Sequence, residues 1–139
     1  MKPFAVWLAL TLLVFGSFSG GYHVYLTKNP RKIAVAVDTS YPMRAAWGQV
    51  GKRLADLTAA RYTQFALLTE KGRIHSWSDR LEIGKLSAYA PRDLSGLGDA
   101  STFPEIAEAD ERVLLTNAPP DQTDPLKRNG WRILELPRG

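Results

Sequence analysis

The chain has 139 residues, a formal net charge of +4 and no cysteine. That length suits one small domain and excludes a large multidomain enzyme. The lack of cysteine excludes disulfides, zinc ribbons, iron–sulfur clusters and a thiol nucleophile. Only two histidines are present, His23 and His75, which disfavours a histidine-rich metal site.

The amino-terminal segment is strongly apolar, because residues 3–27 contain no Asp, Glu, Lys or Arg. One interpretation is a retained membrane anchor, which needs about 20 apolar residues. Tyr22 and Tyr25 lie near its far end, as in the aromatic belt of a membrane interface, and the cations Lys28, Arg31 and Lys32 follow it. The alternative is a signal peptide, with Ser17 and Ser19 before a cleavage site at Gly20. We predict a single-pass anchor over residues 1–27, because the alanines typical of a cleavage site are missing.

The remaining chain predicts strands alternating with helices after a linker at residues 28–32. Residues 33–37 (IAVAV) are typical of a strand buried on both faces. Apolar spacing predicts a helix over residues 43–58, with Met43 and Trp47 in the core. Residues 62–69 and 73–77 are predicted strands, and the short turn between them indicates an antiparallel hairpin.

The second half of the chain continues the alternation. Thr102-Phe-Pro-Glu105 has the form of a capping box and predicts a short helix to about residue 109. Residues 112–116 (RVLLT) predict a strand, Asp124-Pro125 the start of a helix that ends at Asn129-Gly130, and residues 131–136 a final strand. We therefore expect an α/β domain over residues 33–139. Its sheet would be mostly parallel and doubly wound, with about five strands and one antiparallel edge strand.

Polar loops follow the predicted parallel strands, where ligands bind in such sheets. They are Asp38-Thr39-Ser40, the loop from Asp93 to Thr102 that includes Asp99, and Asn117-Ala118. Their oxygen-rich side chains suit a hard cation such as Mg²⁺. The alternative is structural, with Asp38 and Ser40 capping the first helix.

These segments resemble the von Willebrand factor type A family. That family has an apolar strand ending in Asp-x-Ser-x-Ser, then a helix, a hairpin, a threonine-bearing loop and a strand of the form Leu-Leu-Thr-Asp-Gly. Here residues 33–40 are IAVAVDTS and residues 113–118 are VLLTNA, with the predicted hairpin between them. The resemblance covers about residues 32–139 and implies a protein-binding domain.

The resemblance carries the family's metal-ion-dependent adhesion site onto this chain only in part. Asp38 and Ser40 match the first two ligand positions, and Thr102 matches the loop threonine, with Ser101 as second choice. Pro42 replaces the third ligand and has no side-chain oxygen, and Asn117 replaces the acidic residue after Leu-Leu-Thr. The implied cation site, for Mg²⁺ or another divalent ion, is therefore degenerate.

Taken together, the sequence predicts a membrane-anchored, non-catalytic protein-interaction module whose domain is exported to the periplasmic or extracellular side. The resemblance implies that the partner contacts the three loops, through Asp38, Ser40, Asp93, Asp99, Thr102 and Asn117. The dispersed cations disfavour nucleic acid. One alternative is a metal-dependent hydrolase or phosphatase-like domain that uses Asp38 with Asp93 or Asp99. The other is a structural subunit of a membrane complex.

Overall fold

The structure is a computed structural model that describes residues 2–138. It separates into two units, residues 1–30 and residues 31–139. Met1 and Gly139, the outermost residues of the predicted anchor and of the predicted domain, lie outside the described residues.

The first unit is a single helix, α1, Lys2–Lys28. It is long and apolar enough to cross a membrane, since 27 residues at 1.5 Å each extend about 40 Å. The helix continues through Gly16, Gly20 and Gly21 although glycine disfavours helices. An N-terminal apolar helix of this length therefore agrees with the prediction.

The second unit is an α/β domain built on a mixed sheet in which β1 is central. Its five strands lie in the order β3-β2-β1-β4-β5. Parallel pairs join β1 to β2, β1 to β4 and β4 to β5, whereas β2 and β3 are antiparallel. The strands are β1 Arg31–Val37, β2 Thr63–Thr69, β3 Arg73–Ser78, β4 Glu111–Thr116 and β5 Trp131–Glu135. A mostly parallel sheet with one antiparallel edge strand is thus confirmed.

The helices differ from the predictions at their starts. The helix predicted over residues 43–58 is a 3₁₀ helix, Tyr41–Ala46, followed by α2, Trp47–Thr58. The last helix, α4, Pro120–Arg128, begins four residues before the predicted Asp124. Proline suits that first position, because a helix needs no amide hydrogen there. Between α2 and α4 along the chain lie a 3₁₀ turn, Ser95–Gly98, and α3, Pro104–Glu108.

The capping box predicted at Thr102 is wrong. The residue that caps α3 is Phe103, and no side chain makes a capping hydrogen bond there. The Glu105 side chain instead bonds Arg73 of β3, with 2.6 Å between Oε1 and Nη1. A buried carboxylate gains more from a guanidinium than from a backbone amide at a five-residue helix.

Alternating residues of β1 enter two separate apolar clusters. Ile33, Val35 and Val37 pack with residues of the Tyr41–Thr58 region, whereas Ala34 and Ala36 pack with α3, α4 and the 3₁₀ turn at 95–98. Met43 is fully buried in the first cluster, and Trp47 packs partly buried against it. The prediction that both belong to the core is confirmed. With side chains buried on both faces, β1 is held rigidly, and its carboxyl end is a fixed platform.

We expect Leu67→Ala to lower the free energy of unfolding of the full chain by about 2–5 kcal/mol, because Leu67 is completely buried and its loss leaves a cavity. Urea unfolding in detergent, followed by tryptophan fluorescence, measures the change. Ile74→Ala on the neighbouring strand is the control, since Ile74 is 39% exposed and its truncation costs far less. Equal losses in both variants would contradict the packing described.

We expect Glu105→Gln to lower stability at pH 7 by about 1–3 kcal/mol. Burial raises the pKa of Glu105, but hydrogen bonds from Arg73 and the backbone, together with the Arg73 charge, hold this pKa below its ordinary value of 4.5. Because the folded-state pKa is the lower one, this stabilisation is present above about pH 4.5 and is lost as the pH falls through the folded-state pKa.

The free energies of unfolding of the parent chain and of Glu105→Gln should therefore become equal as the pH is lowered through that range. Glu82→Gln, at an exposed carboxylate, serves as the control and should follow the parent curve. A stability difference that is independent of pH would contradict the ionised pair between Glu105 and Arg73.

Candidate functional site

The site begins at Asp38, which directly follows β1 and is completely buried. Its Oδ2 accepts a hydrogen bond from Thr116 Oγ1 at 2.6 Å and another from Arg92 Nε at 3.0 Å. Its Oδ1 accepts the Ser40 amide at 2.9 Å. Both carboxylate oxygens are therefore engaged by groups of this chain.

Arg92 joins the loops that follow β1 and β4. Its Nε lies 3.2 Å from Ser40 Oγ as well as bonding Asp38, and its Nη2 donates a hydrogen bond to Asn117 Oδ1. The Asn117 amide nitrogen donates in turn to the Pro42 carbonyl at 2.7 Å. Only 14% of the Arg92 side chain is exposed. The positive charge beside Asp38 thus belongs to the protein itself.

A short backbone pairing places Arg92. Ser40 and Ala90 form an isolated parallel bridge beyond the end of β1. The Tyr89 amide donates to the Thr39 carbonyl at 2.9 Å, and the Tyr41 amide to the Ala90 carbonyl at 2.8 Å. Arg92 follows two residues later, so the loop delivers its guanidinium to the carboxyl edge of the sheet.

Glu70, which follows β2, is a second buried carboxylate at this edge. It is 8% exposed, and it accepts the Thr39 amide at 3.0 Å and the Thr39 hydroxyl at 2.7 Å. The hydrolase alternative required a second carboxylate at a strand end and assigned Asp93 or Asp99 to that role. The strand-end carboxylate is Glu70, and it holds the loop after β1 with both of its oxygens.

The predicted acidic residues of the 93–102 loop make local contacts. Asp93 Oδ1 accepts the amide and hydroxyl of Ser95, and Asp99 Oδ1 accepts the Ser101 amide. The bonds from Ser95 lower the pKa of Asp93, and those from Ser101 lower the pKa of Asp99. The Thr102 amide donates to the Asp99 carbonyl at 3.1 Å. In residues 2–138, no hydrogen bond joins Asp99 or Thr102 to Asp38.

The ligand residues of the predicted metal site therefore differ in their contacts. Asp38 and Ser40 lie together, linked by Arg92, whereas Thr102 belongs to an exposed turn. Within the described part of the chain, no group of three His, Cys, Asp or Glu side chains could hold a metal ion. Divalent-cation binding stays a prediction.

Asp38 and Ser40 have a structural role, but it is not the helix capping that the alternative prediction assigned to them. Ser40 occupies the capping position of the 3₁₀ helix, yet its side chain makes no capping hydrogen bond. Its hydroxyl oxygen bonds Arg92 instead, and Asp38 accepts the Ser40 amide two residues ahead, as in an Asx-turn. The two side chains therefore stabilise the loop rather than cap the helix.

Two open cavities flank Arg92. One has a volume of about 550 Å³, and its lining includes Tyr41, Pro42, Arg44, Arg92, Asn117 and Arg138. The other has a volume of about 420 Å³, and its lining includes Arg92, Asp93, Ser95, Asp121, Gln122 and Asn129. One cavity is thus cationic, whereas the other carries carboxylates.

Sequence reasoning missed Arg92, Glu70 and Thr116 as members of the site. Thr116 is the last residue of an apolar strand, directly before the predicted Asn117, so its place at the strand end was a usable signal. Glu70 was assigned to a turn, and nothing local distinguishes Arg92 from the other seventeen Lys and Arg residues. Its role depends on the pairing of Ser40 with Ala90.

The chain matches no protein-family model, and no curated protein or solved structure is significantly similar to it. The interpretation of the site therefore depends on its own geometry.

We expect Arg92→Gln to destabilise the domain by about 3–5 kcal/mol, because it leaves the buried Asp38 carboxylate without its cation. Asp38→Asn removes that charge while keeping the side-chain shape. The double variant should therefore be more stable than the sum of the two single losses predicts, by roughly 0.5–3 kcal/mol. Urea unfolding of all four proteins gives this coupling energy, and strict additivity would show that the two charges do not interact.

Proposed function

We propose that this chain is a membrane-anchored protein-interaction module, similar to a reduced von Willebrand A domain, with no catalytic role. The observation that carries the proposal is the buried Asp38–Arg92 pair at the carboxyl edge of the sheet. It holds three loops in one rigid surface, and that surface is open to solvent on both sides of Arg92.

The arrangement of the sheet supports the family assignment. Along the chain, the antiparallel β2–β3 hairpin follows β1 and precedes β4, where the resemblance requires a hairpin. Apolar clusters on alternate residues of β1 support a doubly wound sheet with helices against both faces. Asp38 and Asn117 follow adjacent parallel strands, as the matched motif positions require.

The hydrogen bonding of the site supports binding rather than catalysis. A nucleophile or general base needs a lone pair that is directed at a substrate. Both Asp38 oxygens accept hydrogen bonds within the protein, and so do both Glu70 oxygens. These carboxylates act as fixed supports for the loops.

The character of α1 supports a retained anchor. Its hydroxyl side chains bond the carbonyl oxygens four residues earlier, at 2.9 Å for Thr11, 2.7 Å for Ser17 and 2.8 Å for Thr27. Such bonds satisfy polar groups inside a bilayer, where water is absent. Within this proposal the anchor is single-pass and the domain is exported.

Site-specific photo-crosslinking in native membranes tests the proposal. A photoreactive phenylalanine analogue replaces Pro42 or Ser95, one beside each cavity, in the full chain. We expect one discrete protein adduct from these positions, because the partner covers the carboxyl edge.

Gln49, which is exposed on α2, is the matched control position and should give no such adduct. A retained anchor also predicts that the full-length chain stays in the membrane fraction after carbonate washing. Identical adducts from all three positions, or none from the edge, would refute the contact surface.

A further inference from the structure

The larger cavity beside Asp38, here called the arginine pocket, concentrates positive charge. Its lining includes three guanidinium groups, from Arg44, Arg92 and Arg138, and no carboxylate among the residues of 2–138 that border it. Tyr41 and Pro42 give it an apolar rim, and 49% of the Tyr41 surface is exposed.

Only one of these three charges is compensated. Arg92 pairs with Asp38, but within the described residues neither Arg44 nor Arg138 forms an ion pair. Arg44 is positioned by neutral groups, since its Nε donates to the Ala88 carbonyl at 3.3 Å and its guanidinium lies 5.0 Å from the centre of the Tyr41 ring.

Arg138 is held in a similar way, because its Nη2 donates to the Ala118 carbonyl at 3.4 Å. These contacts orient the guanidinium groups and leave their charge available. Two uncompensated cations facing one open cavity attract an anion and increase the rate at which it associates.

We propose that the arginine pocket binds a carboxylate from an acidic segment of the partner protein. This inference rests on the proposed function and adds the chemistry of the partner. Guanidinium groups bind carboxylates through two parallel hydrogen bonds, which fixes both position and orientation. The apolar rim accommodates the aliphatic part of an Asp or Glu side chain and its neighbours.

The backbone around the pocket favours a carboxylate over a phosphate. Phosphate sites commonly use backbone amides at a helix start. Here the 3₁₀ helix has Pro42 in its first turn, and α4 begins at Pro120 with Pro119 as its capping residue. None of these prolines has an amide hydrogen. The donors that remain are predominantly side-chain guanidinium groups, which suit the planar carboxylate.

Arg92 gives the pocket a metal-independent character. The metal site predicted from the sequence would use a divalent cation beside Asp38. Here Arg92 bonds Asp38 through Nε and Asn117 through Nη2 and also borders the pocket. Binding of the acidic segment therefore needs no divalent ion and persists in a chelator.

Peptide binding to the full chain, in nanodiscs of neutral phosphatidylcholine, tests the proposal. The probe is a fluorescent peptide, Gly-Gly-Asp-Glu-Asp-Gly-Gly, and fluorescence anisotropy in EDTA measures its affinity. A peptide with Asn and Gln at the acidic positions should bind at least tenfold more weakly. Added salt should lower the affinity of the acidic peptide, because salt screens the attraction between exposed charges.

The variant Arg44→Gln with Arg138→Gln should weaken binding by about tenfold or more, since it removes both uncompensated charges and their charge-assisted hydrogen bonds to the carboxylate. Lys52→Gln with Arg53→Gln, on the exposed side of α2, removes the same charge outside the pocket and should change affinity less than twofold. Thermal melting of each variant confirms that the fold is intact.

Three results would overturn the inference: no binding of the acidic peptide, equal losses in the two double variants, or inorganic phosphate competing at lower concentration than acetate. The crosslinking experiment described above distinguishes failure of the carboxylate inference from failure of the proposed protein-interaction function. If edge adducts persist when both pocket arginines are replaced by Gln, the edge binds a partner but not through these cations.

Discussion

The domain depends on one buried ion pair, in which Asp38 meets Arg92 at the end of the central strand. A carboxylate that is fully removed from water is costly unless a cation and hydrogen bonds compensate it. Arg92 supplies the cation, and Thr116 supplies a hydroxyl. Because the guanidinium also reaches Asn117, the cost of burying Asp38 is offset by contacts that join the ends of two strands.

This internal cation changes the meaning of the sequence motif. The proposed resemblance to von Willebrand A domains would make Asp38 and Ser40 metal ligands, with Pro42 and Asn117 in place of two further oxygen ligands. These replacements fit the arginine: the Pro42 carbonyl accepts a hydrogen bond from Asn117, and the Asn117 side-chain oxygen accepts one from Arg92. A carboxylate at residue 117 has no donor for the Pro42 carbonyl, so the neutral amide suits both of its neighbours.

Features that depend on residues close together in the sequence could be predicted, whereas features that depend on distant residues could not. The β-branched strand at residues 33–37, the hairpin and the helical spacing after Met43 are local patterns, and they give the sheet and its main helix correctly. The 3₁₀ helix Tyr41–Ala46 and the start of α4 depend on proline positions, and the predicted helix starts at Met43 and Asp124 are wrong. The role of Arg92 depends on Ala90 pairing with Ser40, a contact between residues fifty positions apart that no periodicity encodes.

The pairing of β1 on both sides also has a mechanical consequence. The helix α1 precedes this strand in the chain, and the Asp38 site follows it about 20 Å away along the strand. A force on the amino end of β1, opposed by the rest of the domain, would pull along the axis of this strand. The parallel bonds to β2 and β4 would then be loaded together, in shear, rather than one after another. The position of β1 between two parallel neighbours therefore resists a pull along its axis.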